Sequence, residues 1–150
     1  MVLEVVVIIL GLLLDRISKL WALAGLKSNS GIVIIKDFFG FEYLENRGAA
    51  FGILQNKLWL LVIITIFVAS GMVYYLIKYK PTSKLLRIAM AMIVAGAIGN
   101  LIDRVYYNFV VDFILVHYKN VYYFPTFNVA DIFVSVGTFF LIICILKDEI

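Results

Sequence analysis

The chain has 150 residues, 64% of them hydrophobic and only 15% charged, with a mean hydropathy of +1.04. Soluble domains are about 45–50% apolar by a similar count, so this composition excludes a soluble globular protein and describes an integral membrane protein. The net charge of +3 is spread among apolar runs, which argues against a nucleic-acid partner, and a lone cysteine and a lone histidine exclude a disulfide framework and a Cys/His zinc site.

Val2 to Ala24 is the first apolar run, about the length that crosses a hydrocarbon core of roughly 30 Å. Ala22-Leu-Ala24 resembles a signal-peptide cleavage site. Against removal, the amino terminus lacks a cationic region, Glu4 is acidic, and Asp15, Arg16 and Lys19 interrupt the run. Asp15 and Lys19 are four apart, share a helix face and can neutralise each other. The pair suits the outer end of a retained span.

Gly25 to Lys57 has another character. Ile32-Val-Ile-Ile35 and Phe38-Phe-Gly-Phe-Glu-Tyr-Leu44 are rich in β-branched and aromatic residues and predict one or two hairpin-like strands on the membrane surface. Glu45-Asn46-Arg47-Gly48-Ala-Ala-Phe51-Gly52-Ile53 sets polar groups beside small residues that permit close approach. It reads as a binding edge rather than an ordinary turn.

Leu58 to Ile77 is an uncharged span. Lys78, Lys80, Lys84 and Arg87 then gather with no acid among them and mark a cytoplasmic loop, 78–84, broken by Pro81. Leu85 to Ile102 is the third span, with Gly96 and Gly99 where helices pack closely, and Val129 to Leu146 is the fourth. Cys144 lies in that last run and reads as a small buried hydrophobe. Four spans around one basic inner loop place both termini in the cytoplasm and residues 25–57 and 103–128 outside. The chain reads as a single membrane domain over 1–150.

The chemistry follows largely by elimination. There is no His-Glu-x-x-His and no Gly-x-Ser-x-Gly, and no glycine-rich phosphate loop. Ser18 and Lys19 are adjacent, point about 100° apart on a helix and cannot readily meet. Carboxylates remain. Two close aspartates cannot both ionise cheaply, so one keeps a proton while the other activates a water, with no metal or cofactor required.

Four outer acids are available: Asp15, Asp103, Asp112 and Asp131. Asp15 has Lys19, and Asp103, followed by Arg104 at a helix end, suits a structural ion pair. Asp112 and Asp131 have no cation within three residues and sit among apolar neighbours, which makes them the best dyad. A blander reading stands beside it. Asn128 and Asp131 have the spacing of a capping box, and Asp112 reads equally as a solvated loop acid.

Asp15-Arg-Ile-Ser-Lys19, Asn46-Arg-Gly-Ala-Ala-Phe-Gly52, Gly96-Ala-Ile-Gly-Asn100-Leu-Ile-Asp103-Arg104, Val111-Asp112-Phe113 and Phe127-Asn128-Val-Ala-Asp131 occur in this order. Together they resemble the lipoprotein signal peptidase (signal peptidase II) family over the whole chain. The resemblance implies an all-α integral membrane protein of four transmembrane helices, with a small extracytoplasmic β-cradle and a short outer helix resting on the membrane. It implies an aspartyl endopeptidase of the bacterial inner membrane, active on its outer face. Such an enzyme removes the signal peptide of diacylglyceryl-modified prolipoproteins just before the lipidated cysteine.

By the same resemblance Asp112 and Asp131 are the catalytic pair, and Asn46, Asn100, Arg104 and Asn128 line the site. Asp15, Lys19 and Asp103 support it. The partners implied are the lipid-bearing substrate, membrane lipid and peptide antibiotics such as globomycin. Tyr106, Tyr107, Phe109 and Phe113 suggest only interfacial anchoring. A proton-coupled carrier would place acids near mid-membrane beside broken helices, whereas these cluster at one interface. A structural subunit without chemistry has no use for the polar groups gathered there.

Overall fold

The protein, seen here as a computed structural model, is described over residues 1–48, 57–119 and 121–148. Among the described residues four helices form: α1 (Val2–Gly25), α2 (Leu58–Tyr79), α3 (Lys84–Tyr107) and α4 (Val129–Leu146). Three of them, α2, α3 and α4, are long and apolar enough to cross a membrane.

Helix α1 carries Asp15, Arg16 and Lys19 in its C-terminal half. Its buried positions are Glu4, Gly11, Asp15, Lys19 and Ala22, a stripe at helical spacing. Val5, Ile9, Leu13 and Ile17, between those positions, are exposed. Polar groups point inward and branched aliphatics outward, the inverse of a helix on a soluble core.

Helix α3 is the hub and packs against α1, α2 and α4. It starts at Ser83, whose hydroxyl accepts from the Leu86 N–H at 3.3 Å. It stops at Asn108 in the left-handed region (φ 62°), with the Asn108 N–H donating to the Arg104 carbonyl. Its small residues set its spacing from α4: a Cβ on Gly96 would run into the Ala130 carbonyl oxygen. Near the α2–α3 connection Leu76, Leu86, Met90 and Cys144 close a core cluster, and Cys144 is fully buried, as expected of a small hydrophobe. Arg87 grips Glu4 with two donors at 2.7 and 2.9 Å, tying α1 to α3 there.

The two segments expected on the outer side join in one antiparallel sheet, ordered β1 (Ile32–Ile35), β2 (Phe39–Asn46), β3 (Val110–Tyr118) and β4 (Tyr122–Tyr123). The β2–β3 register pairs Phe39 with Val116, Leu44 with Asp112 and Asn46 with Val110. This corrects the reading of Asp112 as a solvated loop acid: it sits on a strand and is buried. Its flanking Val-Val and Phe-Ile-Leu favour a pleated, covered position. The sheet rests on the C-terminal end of α1 through Ala22, Leu26, Val111 and Phe113. Phe113 is therefore core rather than an interfacial anchor, and Tyr107 and Phe109 pack against the same cluster, while Tyr106 stays exposed. The short outer helix is absent among the described residues of both segments, and residues 49–56 lie outside them.

Candidate active site

Chain reversal after β4 brings the two aspartates into one network. Phe127 lies against β3, its carbonyl accepting from the Ile114 N–H at 2.8 Å and its N–H donating to the Ile114 carbonyl at 3.1 Å. Asn128 follows and caps α4. Its side chain accepts from the Asp131 N–H at 3.0 Å, and its own N–H donates to Asp131 Oδ2 at 3.0 Å. The capping box read from the sequence is thus present, and it leaves the Asn128 amide group free to face β3.

That amide donates to Asp112 Oδ1 at 2.6 Å and to Asn100 Oδ1 at 3.1 Å. Asn100, on α3, donates in turn to Asp131 Oδ1 at 2.8 Å. Asn46, at the end of β2, donates to Asp112 Oδ2 at 2.9 Å. Asp112 and Asp131 are therefore bridged by two asparagine amides supplied by two different elements. Asp112 is pushed up from the usual 3.8 to about 7, by burial first and then by the nearby Asp131 charge. The hydrogen bonds from Asn46 and Asn128 oppose that rise without cancelling it.

A second polar layer lies behind the first. Lys19 is fully buried and donates to Asn100 Oδ1 at 2.9 Å. It also pairs with Asp15 at 3.0 Å and Asp103 at 2.9 Å. Asp15 accepts from the Ala130 N–H at 3.0 Å, and Asp103 from the Val111 N–H at 3.1 Å. These acids thus fix the backbone beside each member of the pair. Gly99 gives Asp15 room, since a Cβ there would stand 2.6 Å from Asp15 Oδ2.

Asp103 does take the ion-pair position its sequence suggested, but with Lys19 and Arg16 rather than Arg104. Arg16, which the sequence offers only as one of the charges interrupting the first apolar run, joins this layer through Asp103. Its signal was its place one residue after Asp15, on the α1 face that turns toward α3.

A cavity of about 890 Å³ opens beside the pair. Asn46, Asn100, Arg104, Asp112 and Asp131 form its polar wall, and Phe124, Pro125, Phe127, Ile132, Val134 and Val136 its apolar one. Arg104 Nη2 reaches the Gly48 carbonyl at 3.4 Å, and the Gly48 N–H donates to Asn46 Oδ1 at 2.9 Å. Residues 45–48 thus edge the cavity, and the rest of the expected binding edge, 49–53, lies outside the described residues. A carboxyl of raised pKa, Asp112, beside a second carboxylate and a partly apolar cavity is an arrangement suited to proton transfer on a partly apolar substrate.

A family model for Signal peptidase (SPase) II matches residues 7–147. The chain belongs to the signal peptidase II family. Proteins named lipoprotein signal peptidase from Clostridium novyi and Clostridium tetani are 61% and 53% identical to it. Each alignment covers 97% of this chain, and 98% and 94% of those relatives. Two solved bacterial membrane enzyme structures superpose with TM-scores of 0.88 and 0.84 at 34% identity, each covering 97% of this chain and 88% and 93% of theirs. Signal peptidase II membership makes the protein a peptidase.

Proposed function

We propose that the protein is an aspartyl endopeptidase of the bacterial inner membrane that removes signal peptides from diacylglyceryl-modified prolipoproteins, cutting just before the lipidated cysteine. One observation carries the aspartyl mechanism: Asp112 and Asp131, bridged by Asn100 and Asn128, border a cavity that is polar on one wall and apolar on the other. In this reading α1 also spans the membrane, bringing the spans to four, supported by its outward aliphatic face. The basic loop at Lys78, Lys80 and Lys84 keeps both termini cytoplasmic, and the cavity faces the outer surface.

Asp112 holds the proton and polarises the scissile carbonyl, while ionised Asp131 takes a proton from the attacking water. The water oxygen bonds to the carbonyl carbon. Asp131 then returns its proton to the amide nitrogen as the C–N bond breaks, and no metal or covalent intermediate is needed. Asn46, Asn100, Arg104 and Asn128 hold the peptide or the aspartates, and globomycin-type peptides compete for the same cleft.

Two measurements test this. With purified protein in detergent, a prolipoprotein bearing diacylglyceryl on its cysteine is cut immediately before that cysteine, and the unmodified protein is left intact. Equal cutting of both, or cutting elsewhere, overturns the substrate assignment. In addition, kcat/KM falls as pH rises above about 7, where Asp112 loses the proton that polarises the carbonyl. A rate that climbs steadily to pH 9 would show that Asp112 is not the acid.

A further inference from the structure

Hydroxyls within an apolar span normally satisfy themselves on the helix backbone. Thr65 on α2 does so, donating to the Leu61 carbonyl at 2.7 Å. Ser135 on α4, like Ser70 and Thr138, has no hydrogen-bond partner among the described residues, and of these three it is the one that lines the cavity holding the aspartates. Four residues after Asp131, it shares that residue's helix face, about 6 Å further along the axis. The direction is inward, because Asp131 stands in the first turn of α4. Ile132 and Val136 border the cavity beside it, and on the same face Phe139 is exposed one turn beyond.

We infer that Ser135 is a substrate-positioning residue whose hydroxyl donates a hydrogen bond to a glyceryl ester carbonyl of the lipidated cysteine. This rests on the peptidase reading above and gives its lipid specificity a contact. The scissile amide sits at the aspartates, and the ester carbonyls lie several bonds along the cysteine's thioether arm. They are the strongest acceptors on the lipid part of the substrate, entering a wall that is otherwise aliphatic there. Ser135 is exposed on its helix, so its hydroxyl, one turn beyond Asp131, is open to a carbonyl that enters the cavity. The acyl chains then run on past Ile132 and Phe139 into the bilayer.

The test compares two substrates with the same peptide, one carrying a diester diacylglyceryl group and one a diether dialkylglyceryl group, which lacks the carbonyls. Wild type should show a KM about fivefold lower for the diester, the worth of one neutral hydrogen bond. Ser135→Ala should raise KM for the diester by that factor, leave its kcat unchanged, and leave the diether kinetics as in wild type. Ser135→Thr, which keeps a hydroxyl, should restore the preference. If Ser135→Ala changes neither substrate, or slows both equally through kcat, the contact does not exist. If wild type cuts neither substrate, the peptidase reading itself fails, a result separable from the other two.

Discussion

Asp112→Asn and Asp131→Asn are each expected to abolish turnover, by roughly 10³-fold or more, while the protein stays folded. General acid–base catalysis contributes about 10²–10⁴-fold, and the two carboxylates act as one unit. The double variant should then be little worse than either single one. Asparagine keeps shape and one acceptor oxygen in both places. At Asp131 it can still accept from the Asn128 N–H or from Asn100, so the capping box is weakened rather than lost. Cleavage of lipidated prolipoprotein, read beside the melting temperature in detergent, separates lost chemistry from lost fold. Near-normal turnover in either folded variant would remove that residue from the dyad.

The same variant carries a stability signature that a purely structural Asp112 would lack. Its pKa in the folded protein, about 7, lies above the 3.8 of an unperturbed aspartate. The folded state therefore holds its proton more tightly than the unfolded chain. That contribution is fully present below pH 3.8 and is lost as pH rises through about 7. Asp112→Asn has no such titration. Its stability relative to wild type should grow across this window, by up to about 4 kcal/mol. A constant difference between the two proteins from pH 4 to 8 would mean that Asp112 is not held neutral. The site thus costs the fold something in order to keep an acid at neutral pH.

The helices were legible because lipid-facing surfaces demand long apolar runs. The reading 129–146 coincides with α4, and 58–77 falls two residues short of α2. The apolar pattern of the third span ends at Ile102, where Asp103 and Arg104 begin, yet α3 runs to Tyr107. Charge here does not mark a helix end, because Asp103 turns inward to Lys19 and Arg16 and the helix continues past it. The Asn128–Asp131 cap was legible from local spacing alone. By contrast, the strand that carries Asp112 depends on pairing between segments far apart in the chain, with Leu44 opposite Asp112. The links from Lys19 to Asn100 and from Glu4 to Arg87 join residues 81 and 83 positions apart. No local pattern encodes such partners, so the sequence offered the charges without their assignments.

Replacing Lys19 by methionine should cost about 3–5 kcal/mol, the scale for breaking a buried ion pair from one side. Methionine fills much of the lysine's volume, so the loss is electrostatic rather than a cavity. It leaves Asp15 with the Ala130 N–H and Asp103 with Arg16 and the Val111 N–H. Two buried carboxylates then face each other across the space the ammonium occupied. The cost comes from the stranded acids, not from the missing lysine, and that distinction is measurable. Adding Asp15→Asn and Asp103→Asn to Lys19→Met removes both charges while keeping acceptors for the two backbone N–H groups. This triple variant should recover at least half of the lost stability, although it departs further from the native sequence. Thermal unfolding in detergent for wild type, single and triple variants decides the matter. A single variant that melts with wild type would mean that the three charges are not coupled. A triple variant weaker than the single would mean that the carboxylates stabilise the fold through contacts other than Lys19.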